Sequence, residues 1–268
     1  MGPRAAADER EQRRERTSPV PDDLRRGDPV TGPELLVLWD IDGTLIAGRG
    51  FGGLMYREAF RTAFGRELKG PVDLGGRTEL DVIAEILHQH DIEHTEETSA
   101  LLAGALASSF ESRRKDFPDH SDLLPGALRA LQHFADDPRV HQGVLTANLR
   151  SVALIKLEEF GLAHLVDWDV SAFGDDHADR AELVTFARKR AQHIRVFTPD
   201  QVVLIGDTPH DVRAATTAGV RVVAVATGRS SAEDLREVGA GTVLDDLSDL
   251  DELARQVWRN GAGGNRDA

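Results

Sequence analysis

Asp40-Ile41-Asp42-Gly43-Thr44 sets two carboxylates two residues apart directly after an apolar run. In extended backbone both side chains point to one side. Carboxylates held close repel unless a cation joins them, and hard oxygen donors beside a phosphate are what Mg2+ prefers. Gly43 permits a sharp turn and lets backbone N–H groups approach a phosphate. A solvated Asp-Gly turn would account for that pair alone, but not for two further groups downstream. Thr146-Ala147-Asn148 follows a second apolar run. On its own it suits a helix N-cap, and in this company it suits contacts to phosphate oxygens. In Gly206-Asp207-Thr208-Pro209-His210-Asp211, Asp207 ends a third run and Asp211 falls near the start of the next helix. There Asp211 could complement the helix dipole, or with Asp207 complete a magnesium site fed from separate strand ends.

Such residues converge only if a parallel sheet brings its carboxyl ends together. Apolar runs at 34–39, 141–146, 168–173, 202–206 and 220–225 read as strands, each followed by helical apolar spacing, and that alternation means an α/β sheet with crossover helices. Gly161 after 152–160 and Gly219 after 211–218 stand where C-terminal glycine caps belong. Between 48 and 120 the alternation breaks, and 55–64, 79–90 and 96–114 read as consecutive helices. An insert directly after the first strand stands over the carboxyl edge of the sheet, so a lid is its expected role. The expected organisation is a tail at 1–33 without apolar periodicity, a core of 34–47 and 121–260, a helical cap at 48–120, and a second tail at 261–268.

The 268 residues are 40% hydrophobic and 29% charged, with no apolar run near membrane-spanning length. A formal net charge of -14 argues against nucleic acid as a partner, and means that an anionic substrate must be met by local cations. The absence of cysteine excludes disulfides and thiolate chemistry and fits a reducing cytoplasm. His88 and His90, two apart on an expected helix, share no face and read as surface or cap residues, and His210 as a solvated loop residue.

In their order and placement, Asp40 to Thr44, then Thr146, then Gly206-Asp207 through Asp211 resemble the motif set of haloacid dehalogenase-like phosphatases, over about residues 35–250. The resemblance is to the phosphoglycolate phosphatase-like and phosphoglucomutase-like branch, whose helical cap Gly75-Gly76-Arg77-Thr78-Glu79 also resembles. It implies a Rossmann-like parallel core with a helical cap inserted after the first strand. It further implies that Asp40 attacks phosphorus to give an aspartyl-phosphate while Asp42 handles protons. Mg2+ would be held by Asp40, the Asp42 carbonyl and Asp207, with Asp211 close by. Thr146 and neighbouring N–H groups would hold the phosphoryl oxygens, making Gly43, Thr44, Ala147 and Asn148 substrate-binding positions. The family's usual lysine between Thr146 and Asp207 is missing from its expected place, and Arg180 stands there instead; planar arginine can bridge two oxyanions.

The expected activity is magnesium-dependent hydrolysis of a small phosphorylated metabolite, with no protein partner. A phosphomutase with the same nucleophile and a catalytically silent binding protein are the alternatives. A dehalogenase has no use for Asp42, and a phosphonate-cleaving relative would need a cap lysine in a recognisable motif, which Lys69 and Lys115 do not form. Arg77, Arg49 and Tyr56 are candidates for substrate selection in the cap.

Overall fold

The structure, a computed structural model, describes residues 34–259. The two tails expected to lack order fall outside them.

The run Leu35–Trp39 forms β1, and its continuous apolar character suits a strand covered on both faces. Its side chains alternate between two cores, Leu35, Val37 and Trp39 in one and Leu36 and Leu38 in the other. A short strand β2 (Ile46–Gly48) leads into helices α1 (Phe51–Phe64), α2 (Glu79–Gln89) and α3 (Glu96–Ser112), and β3 (Ser121–Leu123) leads out. β2 and β3 pair antiparallel, clasping the two ends of the helical insert. The chain then alternates through α4 (Ala127–Ala135), β4 (Val140–Val144), α5 (Arg150–Glu159), α6 (Arg180–Arg190), β5 (Val202–Gly206), α7 (Pro209–Ala218), β6 (Arg221–Val225), α8 (Ala232–Glu237), β7 (Val243–Leu244) and α9 (Leu250–Trp258). The main sheet is parallel throughout, in the order β4-β1-β5-β6-β7. β1 is therefore flanked by β4 and β5, so the residues just past their carboxyl ends, at 40, 146 and 207, are neighbours across the sheet.

Four of the five expected strands form. The exception is 168–173, which joins the sheet edge only through an isolated bridge between Leu145 and Ala172. Local side chains take the ladder's place there: the Val144 N–H is accepted by Ser171 Oγ at 2.9 Å, and the Asp169 N–H by Asp167 Oδ1 at 2.8 Å. Two of the insert's three helices, α2 and α3, start at side-chain caps. Thr78 accepts the Asp81 N–H, and Thr95 forms a reciprocal capping box with Thr98. No helix among the described residues is long and apolar enough to cross a membrane.

Candidate active site

Asp40 continues the β1 ladder, its N–H donating to the Ile205 carbonyl at 2.9 Å, which fixes the carboxylate at the sheet edge. Gly43 then turns back with φ +86°. A side chain at Gly43 would start 2.3 Å from Asp207 Oδ2, so the turn must be glycine for the loops after β1 and β5 to close on each other. Asp40, Asp207 and Asp211 are buried with carboxylate oxygens within 4.8 Å of one another.

Arg180, the first residue of α6, reaches into this cluster. Its Nη2 lies 2.9 Å from Asp40 Oδ1 and 2.6 Å from Asp211 Oδ1, and its Nη1 donates to the Gly76 carbonyl at 3.0 Å. The second Asp211 oxygen accepts from the Thr208 N–H at 3.1 Å and from the Thr208 hydroxyl at 2.6 Å. Asp211 thus both caps α7 and orients Arg180. Three carboxylates face one guanidinium, an excess of negative charge in a dry site. Burial, outweighing the lowering effect of Arg180, pushes the Asp40 carboxyl up to about 7. Burial, with repulsion from Asp40 and Asp211, pushes Asp207 up to about 9. A divalent cation among these oxygens would relieve both penalties, and the donor set, all hard carboxylate oxygen, suits Mg2+.

Asp42 lies apart from that cluster. Its carboxylate accepts from Asn148 Nδ2 at 2.7 Å and from Lys156 Nζ at 2.8 and 2.6 Å. Any metal contact from Asp42 falls to its backbone carbonyl. Thr146 is fully buried, and its Oγ1 accepts from Asn148 Nδ2 at 2.8 Å. Thr44 Oγ1 donates to Asp207 Oδ1 at 3.3 Å. The Ala147 carbonyl is taken by the Glu79 N–H at 2.9 Å, so this residue joins the helical insert to the core. Arg77 is not drawn onto the cluster, because its Nε pairs with Asp81 Oδ2 at 2.7 Å. It shares with Arg180, His210 and Arg213 the wall of a cavity of about 270 Å³. Arg49 binds the exposed Asp122 carboxylate at 2.7 Å, away from the cluster.

Residues 37–216 match the model of the haloacid dehalogenase-like hydrolases. The chain belongs to that family. A phosphoglycolate phosphatase of Rhodospirillum rubrum is 29% identical over 174 residues, 58% of this chain and 70% of the relative. The crystal structure of a predicted phosphatase from Clostridium acetobutylicum superposes with a TM-score of 0.63 at 20% identity, covering 84% of this chain and 99% of that one. That of a predicted phosphoglycolate phosphatase from Haemophilus somnus 129pt gives 0.60 at 17%, covering 84% and 100%. At these identities the two structures establish the shared fold.

Two buried ionisable groups of this hydrolase escape the sequence reading. Lys156 sits on the covered face of α5. The signal was its spacing of four from Val152 within an apolar stripe, a place where a lysine needs a buried partner. Glu79, in the first turn of α2, accepts a hydrogen bond from the Tyr56 hydroxyl. Burial pushes its carboxyl up to about 7, against the lowering effects of Tyr56 and Lys156. Tyr56 is thereby a buried partner of Glu79 within the insert. His90 is also buried: Nε2 accepts the Lys69 N–H at 3.0 Å, leaving Nδ1 to donate to the Ile86 carbonyl at 2.9 Å. It is a core histidine of the helical insert. His210 is half-buried, and burial with nearby Arg213, Arg180 and Arg77 holds its pKa below the ordinary histidine value.

Proposed function

We propose that this hydrolase is a magnesium-dependent phosphatase of a small phosphorylated metabolite, working through an aspartyl-phosphate on Asp40. The observation that carries the proposal is the buried set of Asp40, Asp207 and Asp211 with Arg180 bridging Asp40 and Asp211. The three carboxylates fit a magnesium ion, with Asp40, Asp207 and the Asp42 carbonyl as holders and Asp211 beside them. The ion, when bound, offsets the repulsion between carboxylates and substrate and polarises the phosphoryl group.

Arg180 holds one Asp40 oxygen and lies where it can also meet a phosphoryl oxygen. The other Asp40 oxygen bonds to phosphorus as the ester P–O bond breaks, and Asp42 gives the departing oxygen its proton. In the second displacement Asp42 takes a proton from water as that water bonds to phosphorus. Phosphate leaves and Asp40 is regenerated. Thr146 and the backbone N–H groups after β1 and β4 supply preorganised donors for the phosphoryl oxygens. Helices α1–α3 act as the cap, excluding water and bulky substrates. The phosphoglycolate phosphatase relative supports a small monoester as substrate, and the lack of cysteine supports a cytoplasmic setting.

Phosphate release from a panel of small esters, with and without magnesium, tests this proposal against Asp40→Asn. Magnesium-dependent release that falls by at least on the order of 1,000-fold in the variant is expected for loss of a covalent nucleophile. Full activity of Asp40→Asn would overturn it. Isomerisation of a sugar phosphate without net phosphate release would favour the phosphomutase alternative, whose fold is shared by structures of proposed beta-phosphoglucomutases.

A further inference from the structure

Lys156 directs three contacts at two side chains: 2.8 and 2.6 Å to the two Asp42 oxygens and 2.7 Å to Asn148 Oδ1. An ammonium has three protons, so these partners absorb its donors. Asn148 closes the ring by donating to Asp42 Oδ2 at 2.7 Å and to Thr146 Oγ1 at 2.8 Å. Lys156 itself is buried, whereas the Asp42 side chain stays 44% exposed. The lysine is thus enclosed while the carboxylate it holds stays accessible. The ring of Phe110, on α3 of the insert, lies with its centroid 5.6 Å from the ammonium. Arg180 already serves Asp40 and Asp211, so the two buried cations divide the work between the carboxylates.

We infer that Lys156 is a positioning residue: it holds the Asp42 carboxylate on the leaving-group side, where Asp42 meets the departing oxygen, without touching the substrate. The inference rests on the phosphatase mechanism proposed above. Its chemical signature is a dependence on the leaving group. An alkyl ester needs Asp42's proton as its oxygen departs, whereas p-nitrophenyl phosphate releases a stable nitrophenolate without one.

The test compares wild type and Lys156→Met on an alkyl phosphate ester and on p-nitrophenyl phosphate, with magnesium. The expected result is a kcat/KM on the alkyl ester lower by on the order of 100-fold, and a kcat/KM on p-nitrophenyl phosphate nearly unchanged. In the latter case kcat and KM fall together, because the second displacement, which also uses Asp42, slows while the first does not. Equal losses of kcat/KM on both esters would show a merely structural or substrate-binding lysine and overturn the inference, as would no loss on either. If the Met variant fails to fold by circular dichroism, Lys156→Leu, which likewise leaves Asp42 without the ammonium, is measured in the same way and read by the same ratio. Failure of the parent mechanism is seen separately, as an active Asp40→Asn.

Discussion

Glu79 carries the clearest pH dependence of any single residue outside the acidic cluster. Its carboxyl is displaced from an ordinary 4.5 to about 7, chiefly by burial. A folded value above the unfolded one means that its contribution to stability is present below about pH 4.5 and is lost as pH rises through about 7. Glu79→Gln removes the titration while keeping the shape. Unfolding curves at pH 5 and pH 8 are expected to show variant and wild type nearly equal at pH 5. At pH 8 the variant should be the more stable, by on the order of 3 kcal/mol at most. Parallel pH slopes for the two proteins would contradict the assignment. Glu79 and Lys156 went unread because each lies in a helix, where a charged residue normally turns its head to water, and only for Lys156 does an apolar stripe mark the exception. Asp40 and Asp207 were legible because each stands directly after an apolar strand, and Asp42 and Asp211 because they recur beside them at two strand ends, which neither a lone Asp-Gly turn nor a lone helix-dipole acid explains. Arg180 was legible because it opens a helix at the same sheet edge.

At the scale of elements, the junction between the helical insert and the core turns on Gly174. A methyl group there would start 1.6 Å from the Ala147 carbonyl oxygen and 2.8 Å from the Glu79 nitrogen, the two partners of the hydrogen bond that seats α2. Gly174→Ala is therefore expected to cost about 2 kcal/mol of stability, read as a lower urea midpoint at unchanged slope, and to depress activity as the junction opens. A variant with wild-type stability would show that the insert adjusts freely. β1 and β5 were readable from apolar runs because a central parallel strand is buried on both faces, and β4 and β6 from their buried carboxyl ends. The run 168–173 misled because its alternate residues Val170 and Ala172 are buried as a strand's would be, yet Ser171 and Asp167 take up the hydrogen bonds there. Apolarity reports burial, and only pairing makes a strand.

For the whole molecule, a formal net charge of -14 surrounds a site meant for an anion. That field slows the approach of a phosphate ester, and salt screens it over a Debye length of about 8 Å at physiological ionic strength. At saturating magnesium, kcat/KM is expected to rise by up to about threefold between low and physiological ionic strength, whereas a steep fall would mean that local arginines steer the substrate instead. The central claim is that one buried carboxylate, Asp40, takes the phosphoryl group. Its most direct test is rapid acid quenching of the enzyme during turnover of a phosphate ester with magnesium, followed by peptide mapping. A phosphoryl group on the peptide bearing Asp40, absent from Asp40→Asn, is the predicted result. Rapid phosphate release with no labelled aspartate, and turnover persisting in Asp40→Asn, would contradict it.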